Sequence, residues 1–513
     1  VSANRKKVVN AEGVWIGNSA WPSNRSLKEF AEDCFRLSGA KSDKEKALCF
    51  YYWMIMCVRR GGPNPVHDDG CGSYARYLDP LVNFTSWGDG ECTFWGWIAV
   101  EALCLAGLKA RRVAAHKMGH TFYEVWYKGG DGREQWHAFD PFGGWYFLNE
   151  NGEVASCAEL AANPQLVQNP LPGHSQPLGT HLDRAHLAHR HQLSDQLFID
   201  QPIFGDRLGW DLRKGQQVSI SWLPEAPDKA LFTRHPEIGE LPRDAFPDGA
   251  HGDIPALSRT GEILFPEHEP YWKNYRRPSG TTHKRNEGLP VRWHGSGGLR
   301  WKPLLQGETA CAYASNARFE NGMLRPKGPH YFLEVWYHFK LPYLVSSLML
   351  DYDIAGDGGD YCGFAVSADD RRTVWPLEMK SHGPHWGSIV NGQREWKAGK
   401  PSVQGLREFW LRIDMFSHSS DVNLALQALD VTVRFQHNMD AQPRLVPGRN
   451  DLWIEAGKIS GSTLESEWVY QVDGTQRKTK IELASAGRAE ETVEVDVDSP
   501  ERILMTGLRL NCR

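Results

Sequence analysis

The stretch 93–139 changes its hydrophobic period once, and that change restricts the fold more than any other feature of the chain. An apolar helical run over about 93–106 stops at Gly107. Short alternating runs follow at once over 110–115, 121–127 and 135–139, the last two joined by Gly129-Gly130-Asp131-Gly132 as a hairpin turn. A helix leading straight into a small antiparallel sheet is an α+β unit.

The flanking segments extend this plan. Residues 26–60 carry a helical pattern, with Ser42 and Glu45 spaced as a capping box and apolar residues recurring through Val58. Residues 63–91, rich in Gly, Asp, Pro and Asn, read as an ordered loop. Prolines at 164, 170, 172 and 177 mark a linker, a His-rich stretch follows, and 209–222 alternates as a strand. From about Tyr331 onward, short alternating runs bounded by turn residues suit an antiparallel β-sandwich. With 513 residues and roughly 150 per domain, about three domains are expected. The expected organisation is an α+β domain over 1–160, a loop-rich linker with some strands over 161–300, and a β-sandwich accessory domain over 301–513.

Composition removes several function classes. The net charge of −5 leaves no basic excess to neutralise phosphates, which argues against nucleic acid as a partner. The longest apolar run, 47–58, is well short of the roughly 20 residues a bilayer span requires, so it reads as a buried helix. The first ten residues are polar and lack Met, as if any signal peptide had been removed or left out; a secreted or periplasmic setting is favoured. Ten cysteines form no CxxC pair and read as a mostly reduced set.

Chemistry concentrates in 88–147. Cys92 follows Gly90-Glu91 at the start of a helix, where unpaired N–H groups and the positive end of the dipole stabilise a thiolate. His120 opens the next strand but one, within reach as general base and later acid. Asp140, at the end of the neighbouring strand, can hold the far ring nitrogen. The aromatic run Thr93-Phe94-Trp95-Gly96-Trp97 suggests one wall of a cleft.

Gly90-Glu91-Cys92, the helix ending at 103–107, Lys109-Ala110-Arg111-Arg112-Val113, Gly119-His120 with Glu124-Val125, and Trp136 with Asp140-Pro141 resemble the transglutaminase-like core. That superfamily is similar in logic to papain-type proteases and includes crosslinking transglutaminases, transglutaminase-like peptidases and amidases, and peptide N-glycanases. The resemblance covers roughly 40–150. It implies Cys92 as nucleophile, His120 as general base and acid, and Asp140 as the orienting carboxylate, with no cofactor. The extra domains and calcium sites of vertebrate transglutaminases and the paired CxxC motifs of cytosolic N-glycanases find no match here. Trp87, Trp95, His116, Tyr123 and Trp145 are the expected substrate-binding residues, and the Cys92 N–H plus a Trp or polar side chain, with Trp87 as one candidate, are the expected oxyanion donors. Glu124 is expected to face a neighbouring strand or an arginine, and His137 to be structural.

His174, His181, His186, His189 and His191 cluster without a cysteine partner and read as a solvated patch, so no metal is expected. Asp351, Asp353, Asp357 and Asp360 lack the calcium-loop register and read as a polar turn. Val366-Ser367-Ala368-Asp369-Asp370 with Val374-Trp375-Pro376 resembles a strand and turn of discoidin-like or sialidase-associated sandwiches, implying a carbohydrate- or surface-binding accessory domain. Trp375, Trp386, Trp396 and Trp410 are its candidate platforms. The leading expectation is a cysteine-nucleophile hydrolase of peptide, isopeptide or glycan–asparagine amides. The alternatives are cleavage of a polysaccharide or glycan on a repurposed core, protein-glutamine acyl transfer, and an inactive glycan-binding scaffold. The expected partners are therefore peptide, glycopeptide or polysaccharide substrates.

Overall fold

The computed structural model describes residues 9–57, 59–60, 79–87, 89–90, 92–115, 120–141, 144–175, 196–199, 203–224, 294–303, 305, 311–357, 359–381, 385–391, 403, 406–418, 423–498 and 500–513. The chain is a mixed α+β protein, helical near its N-terminus and mostly antiparallel β in its C-terminal part.

The helical pattern of 26–60 resolves into two helices, Leu27–Ser38 and Asp43–Cys57. Ser26 caps the first, its side chain accepting from the Glu29 N–H, and Gly39 ends it at φ 65°, a left-handed conformation that suits glycine. The Ser42–Glu45 box closes: Glu45 N donates to Ser42 Oγ, and Ser42 N donates to Glu45 Oε2. Every residue from Ala47 to Cys57 is buried, so this helix is apolar all round. Within the expected loop, Asp79 caps a helical turn, Pro80–Val82, that runs into a π-helical turn over Asn83–Trp87.

The helix Cys92–Leu105 precedes strands Lys109–Ala115, His120–Lys128 and Glu134–Phe139. These pair antiparallel in sequence order. The sheet gains a fourth strand, Gln196–Ile199, beside Lys109–Ala115. It comes from beyond the proline-rich stretch. The hairpin turn is as expected, with Gly132 at φ 84° and its N–H donating to the Gly129 carbonyl.

In the C-terminal part, a ten-stranded antiparallel sheet includes His294–Trp301, Leu344–Ala355 and Ala425–Asn438. It faces a five-stranded sheet ordered Tyr313–Ser315, Phe332–Lys340, Glu408–Phe416, Tyr361–Ser367 and Trp375–Ser381. Across the interface Trp301 packs edge-on to Tyr337 at 5.0 Å, and Tyr352 meets Phe364 at 5.1 Å. The run 209–222 is two strands, Trp210–Leu212 and Gln217–Pro224, parted by a turn with Gly215 at φ 84°.

The two ends of the chain are joined by backbone. The first strand, Ala11–Asn18, pairs antiparallel with Gly448–Ala456 and also with Trp210–Leu212. Gln217–Pro224 lies between His294–Trp301 and Ile503–Cys512 in the large sheet. One hydrophobic core runs from the N-terminal helices through both C-terminal sheets.

Candidate active site

Cys92 is the first residue of its helix, so its N–H has no partner within the helix and faces the positive end of the dipole. The helix lies unusually close to the sheet at Gly96, one turn further on. A Cβ there would stand 3.2 Å from Arg112 Cδ and 3.5 Å from the Phe122 carbonyl. This close packing brings the helix start over the first residues of His120–Lys128, where Thr93 and Thr121 hydroxyls lie 3.5 Å apart.

His120 is buried at 7 % exposure, and its Nε2 lies 2.5 Å from Oδ2 of the fully buried Asp140. The Cys92 sulfur lies near enough to the ring to favour its protonated form. Burial alone would discharge the ring. The Asp140 carboxylate, by charge and hydrogen bond, and the Cys92 sulfur outweigh it, raising the histidine from 6.5 to about 10.

Asp140 is held through its own backbone. Its N–H donates to the Trp145 carbonyl at 2.9 Å and its carbonyl accepts from Trp145 N at 3.0 Å. Ser175 Oγ donates to the Gly144 carbonyl at 3.1 Å and lies 2.8 Å from the Tyr51 hydroxyl. Helix Asp43–Cys57 is thereby tied to the turn that carries Asp140. Sequence reasoning missed Ser175 and Tyr51, because nothing in a proline-rich stretch or a buried helix marks a residue as a brace for a distant turn.

Three expected substrate contacts are not at the surface. Trp95 is buried in the main core because its position on the helix points it inward. Tyr123 is fully buried because it alternates with Phe122 toward the helices. Trp145 is buried against Phe122 and Phe147, at 5.3 Å from each, with its indole N–H unpaired. The remaining two, the Trp87 side chain and His116, lie outside the described residues.

Glu124 takes two hydrogen bonds from Arg111, at 2.6 and 2.8 Å, and one from the Cys157 N–H. His137 is fully buried, with Nδ1 2.5 Å from the Val154 carbonyl, and burial lowers its pKa. All nine cysteines among the described residues are free thiols, and Cys71 lies outside them. Burial raises the thiols of Cys34, Cys49, Cys104, Cys157, Cys362 and Cys512. Cys92 differs from most of them in being partly exposed.

Of the histidine cluster only His174 is described; its Nδ1 lies 2.8 Å from the Leu171 carbonyl. No group of three potential metal ligands occurs among the described residues. Asp360 accepts from Asp357 N, Ser417 Oγ and His418 N, bonds that close a turn. No helix among the described residues is long and apolar enough to cross a membrane. No protein-family model matches the chain, and no curated protein matches it.

Proposed function

We propose that the chain is a cysteine-nucleophile hydrolase of amide bonds, working through Cys92, His120 and Asp140. The observation that carries this reading is a buried histidine 2.5 Å from a buried carboxylate, with a partly exposed thiol at a helix start near enough to bear on its charge. A ring that keeps its proton to about pH 10 supplies the counter-charge for a thiolate. Cys92 Sγ attacks the amide carbonyl, and the oxyanion forms beside the Cys92 N–H. His120 gives its proton to the leaving amine, the C–N bond breaks, and a thioester remains. His120 then takes a proton from water, whose oxygen attacks the thioester, releasing the acid and restoring the thiolate–imidazolium pair. Asp140 keeps the ring oriented throughout.

Hydrolysis of amides is preferred to glycan cleavage on this core because the aromatic residues a sugar would stack on, Trp95, Tyr123 and Trp145, are buried. The test is iodoacetamide labelling read by peptide mass spectrometry, run with a panel of peptide, isopeptide and glycopeptide amides. Labelling at pH 6 should favour Cys92 over the buried thiols and slow at least tenfold in His120→Ala. Turnover of at least one amide class should vanish in Cys92→Ala. Equal labelling in wild type and His120→Ala would sink the activated-nucleophile reading.

A further inference from the structure

The segment that delivers Cys92 to its helix does not hold itself in place. Arg59–Arg60 and Asp89–Gly90 pair parallel over those residues alone, and Cys92 follows shortly after Gly90. So short a parallel pair does not set its own register. The register comes from what fixes the chain just before each strand.

Contacts from the C-terminal sheets do this. Arg407 pairs with Asp79 at 3.2 Å, where the helical turn begins. Leu344 N donates to Ser86 Oγ and Gln436 Nε2 to the Ser86 carbonyl, both at 3.2 Å. Asn438 reaches both sides at once. Its Nδ2 donates to the Phe84 carbonyl at 2.8 Å and to the Cys57 carbonyl at 2.7 Å. One amide therefore ties the last residue of the helix Asp43–Cys57, just ahead of Arg59, to the π-helical turn that leads toward Asp89. The Cys57 carbonyl is among those a helix end leaves without an internal partner, so it is free to accept this bond.

Asn438 is itself fixed. It closes the strand Ala425–Asn438, is buried, and accepts at Oδ1 from Asp440 N at 3.1 Å. With Oδ1 engaged by that N–H, the NH2 group is the one left to face the two carbonyls. The Phe84 ring lies 4.5 Å from that of Phe30, which seats the turn on the first helix.

We propose that Asn438 is a positioning residue of the Cys92 site, setting the path of the entry segment so that the sulfur arrives beside His120. This role rests on the reading of Cys92 as an activated nucleophile. Attraction between thiolate and imidazolium weakens as the two charges separate, so a displaced entry segment returns the thiol toward its ordinary value of about 8.5. The C-terminal part thereby completes the site from 354 residues along the chain from Phe84.

The test is the rate of Cys92 alkylation by iodoacetamide against pH, read by peptide mass spectrometry on the full chain, with melting curves alongside. Asn438→Ala should slow labelling at pH 6 at least tenfold and raise the labelling midpoint by about one pH unit or more. Gln436→Met, which removes only the bond to Ser86, should raise it less. Asn450→Ala is the control. Asn450 is also fully buried, but its amide serves the Val446 and Gly448 carbonyls, so its loss should lower the melting temperature and leave the midpoint unchanged. If Asn438→Ala does not fold, Asn438→Ser, whose hydroxyl can serve one carbonyl, takes its place with a smaller rise. A wild-type midpoint no lower than that of His120→Ala overturns the nucleophile reading and this role with it. A low wild-type midpoint that the Asn438 variant keeps, or that Asn450→Ala raises equally, overturns this role alone.

Discussion

His120 and Asp140 show how far two buried side chains can shift a proton equilibrium. The folded histidine holds its proton to about pH 10 against an ordinary 6.5, so the fold binds that proton more tightly than the unfolded chain does. Its contribution to stability is therefore complete below about pH 6.5 and is lost as pH rises toward about 10. Urea midpoints of the wild type should fall across that window, and Asp140→Asn should flatten the slope. A slope that survives the substitution would mean another group carries it. Asp140→Asn should also cost at least a hundredfold in any amide turnover, because the ring loses the carboxylate that orients it.

On the Cys92–Leu105 helix, two residues make opposite demands. Gly96 permits close packing: a β-branched side chain there would crowd the Arg112 side chain and force it to shift. Gly96→Val should cost about 1–3 kcal/mol, the usual range for overpacking, and should slow Cys92 labelling by shifting the sulfur from His120. Melting temperature and labelling rate together check it; an unchanged labelling rate would show that the helix start does not depend on this contact. Glu101, on the same helix, is buried, accepts from the Gly205 N–H at 3.3 Å, and is raised by burial from 4.5 to about 7. Its raised pKa means stability that is complete below about pH 4.5 is lost as pH climbs through about 7. Glu101→Gln keeps an acceptor for Gly205, so it should remove the slope between those values and leave the protein more stable at pH 8.

Across the whole molecule, Arg25 links the parts. It is buried, donates to Glu455 Oε1 at 2.6 Å, to the Gly13 carbonyl at 2.8 Å and to the Leu208 carbonyl at 3.1 Å. Arg25→Ala removes all three bonds, leaving Glu455 with Arg207 at 3.6 Å, and should destabilise by about 2 kcal/mol in a denaturant titration. Because Ala11–Asn18 pairs with Gly448–Ala456, a chain ended at residue 300 should lack cooperative unfolding by circular dichroism. A cooperative transition in that fragment would show that the N-terminal helices and small sheet stand by themselves.

Local signals were legible in the residue order. The Ser42–Glu45 box, the glycine stop at 107, the 129–132 turn and the strands flanking it depend on neighbours a few residues apart, and each formed close to its expected bounds. So did the placing of Cys92 at a helix start, of His120 on a strand and of Asp140 just past the end of the neighbouring strand, since hairpin register follows from turn length. What could not be read locally was burial direction and long-range pairing. Trp95, Tyr123 and Trp145 carry no mark that separates a cleft wall from a core, because a Trp or Tyr suits both.

The sequence by itself determined the α+β order of elements and the candidate residues Cys92, His120 and Asp140, because helix stops, turns and alternation act over short distances. Only the tertiary structure decided that Gln196–Ile199 completes the small sheet, that Ser175 and Tyr51 brace the Asp140 turn, and that the first strand pairs near the far end of the chain. Those contacts join residues that local pattern cannot relate. A strand edge or a buried hydroxyl accepts any partner of suitable geometry, and the packing of the whole core selects which one arrives.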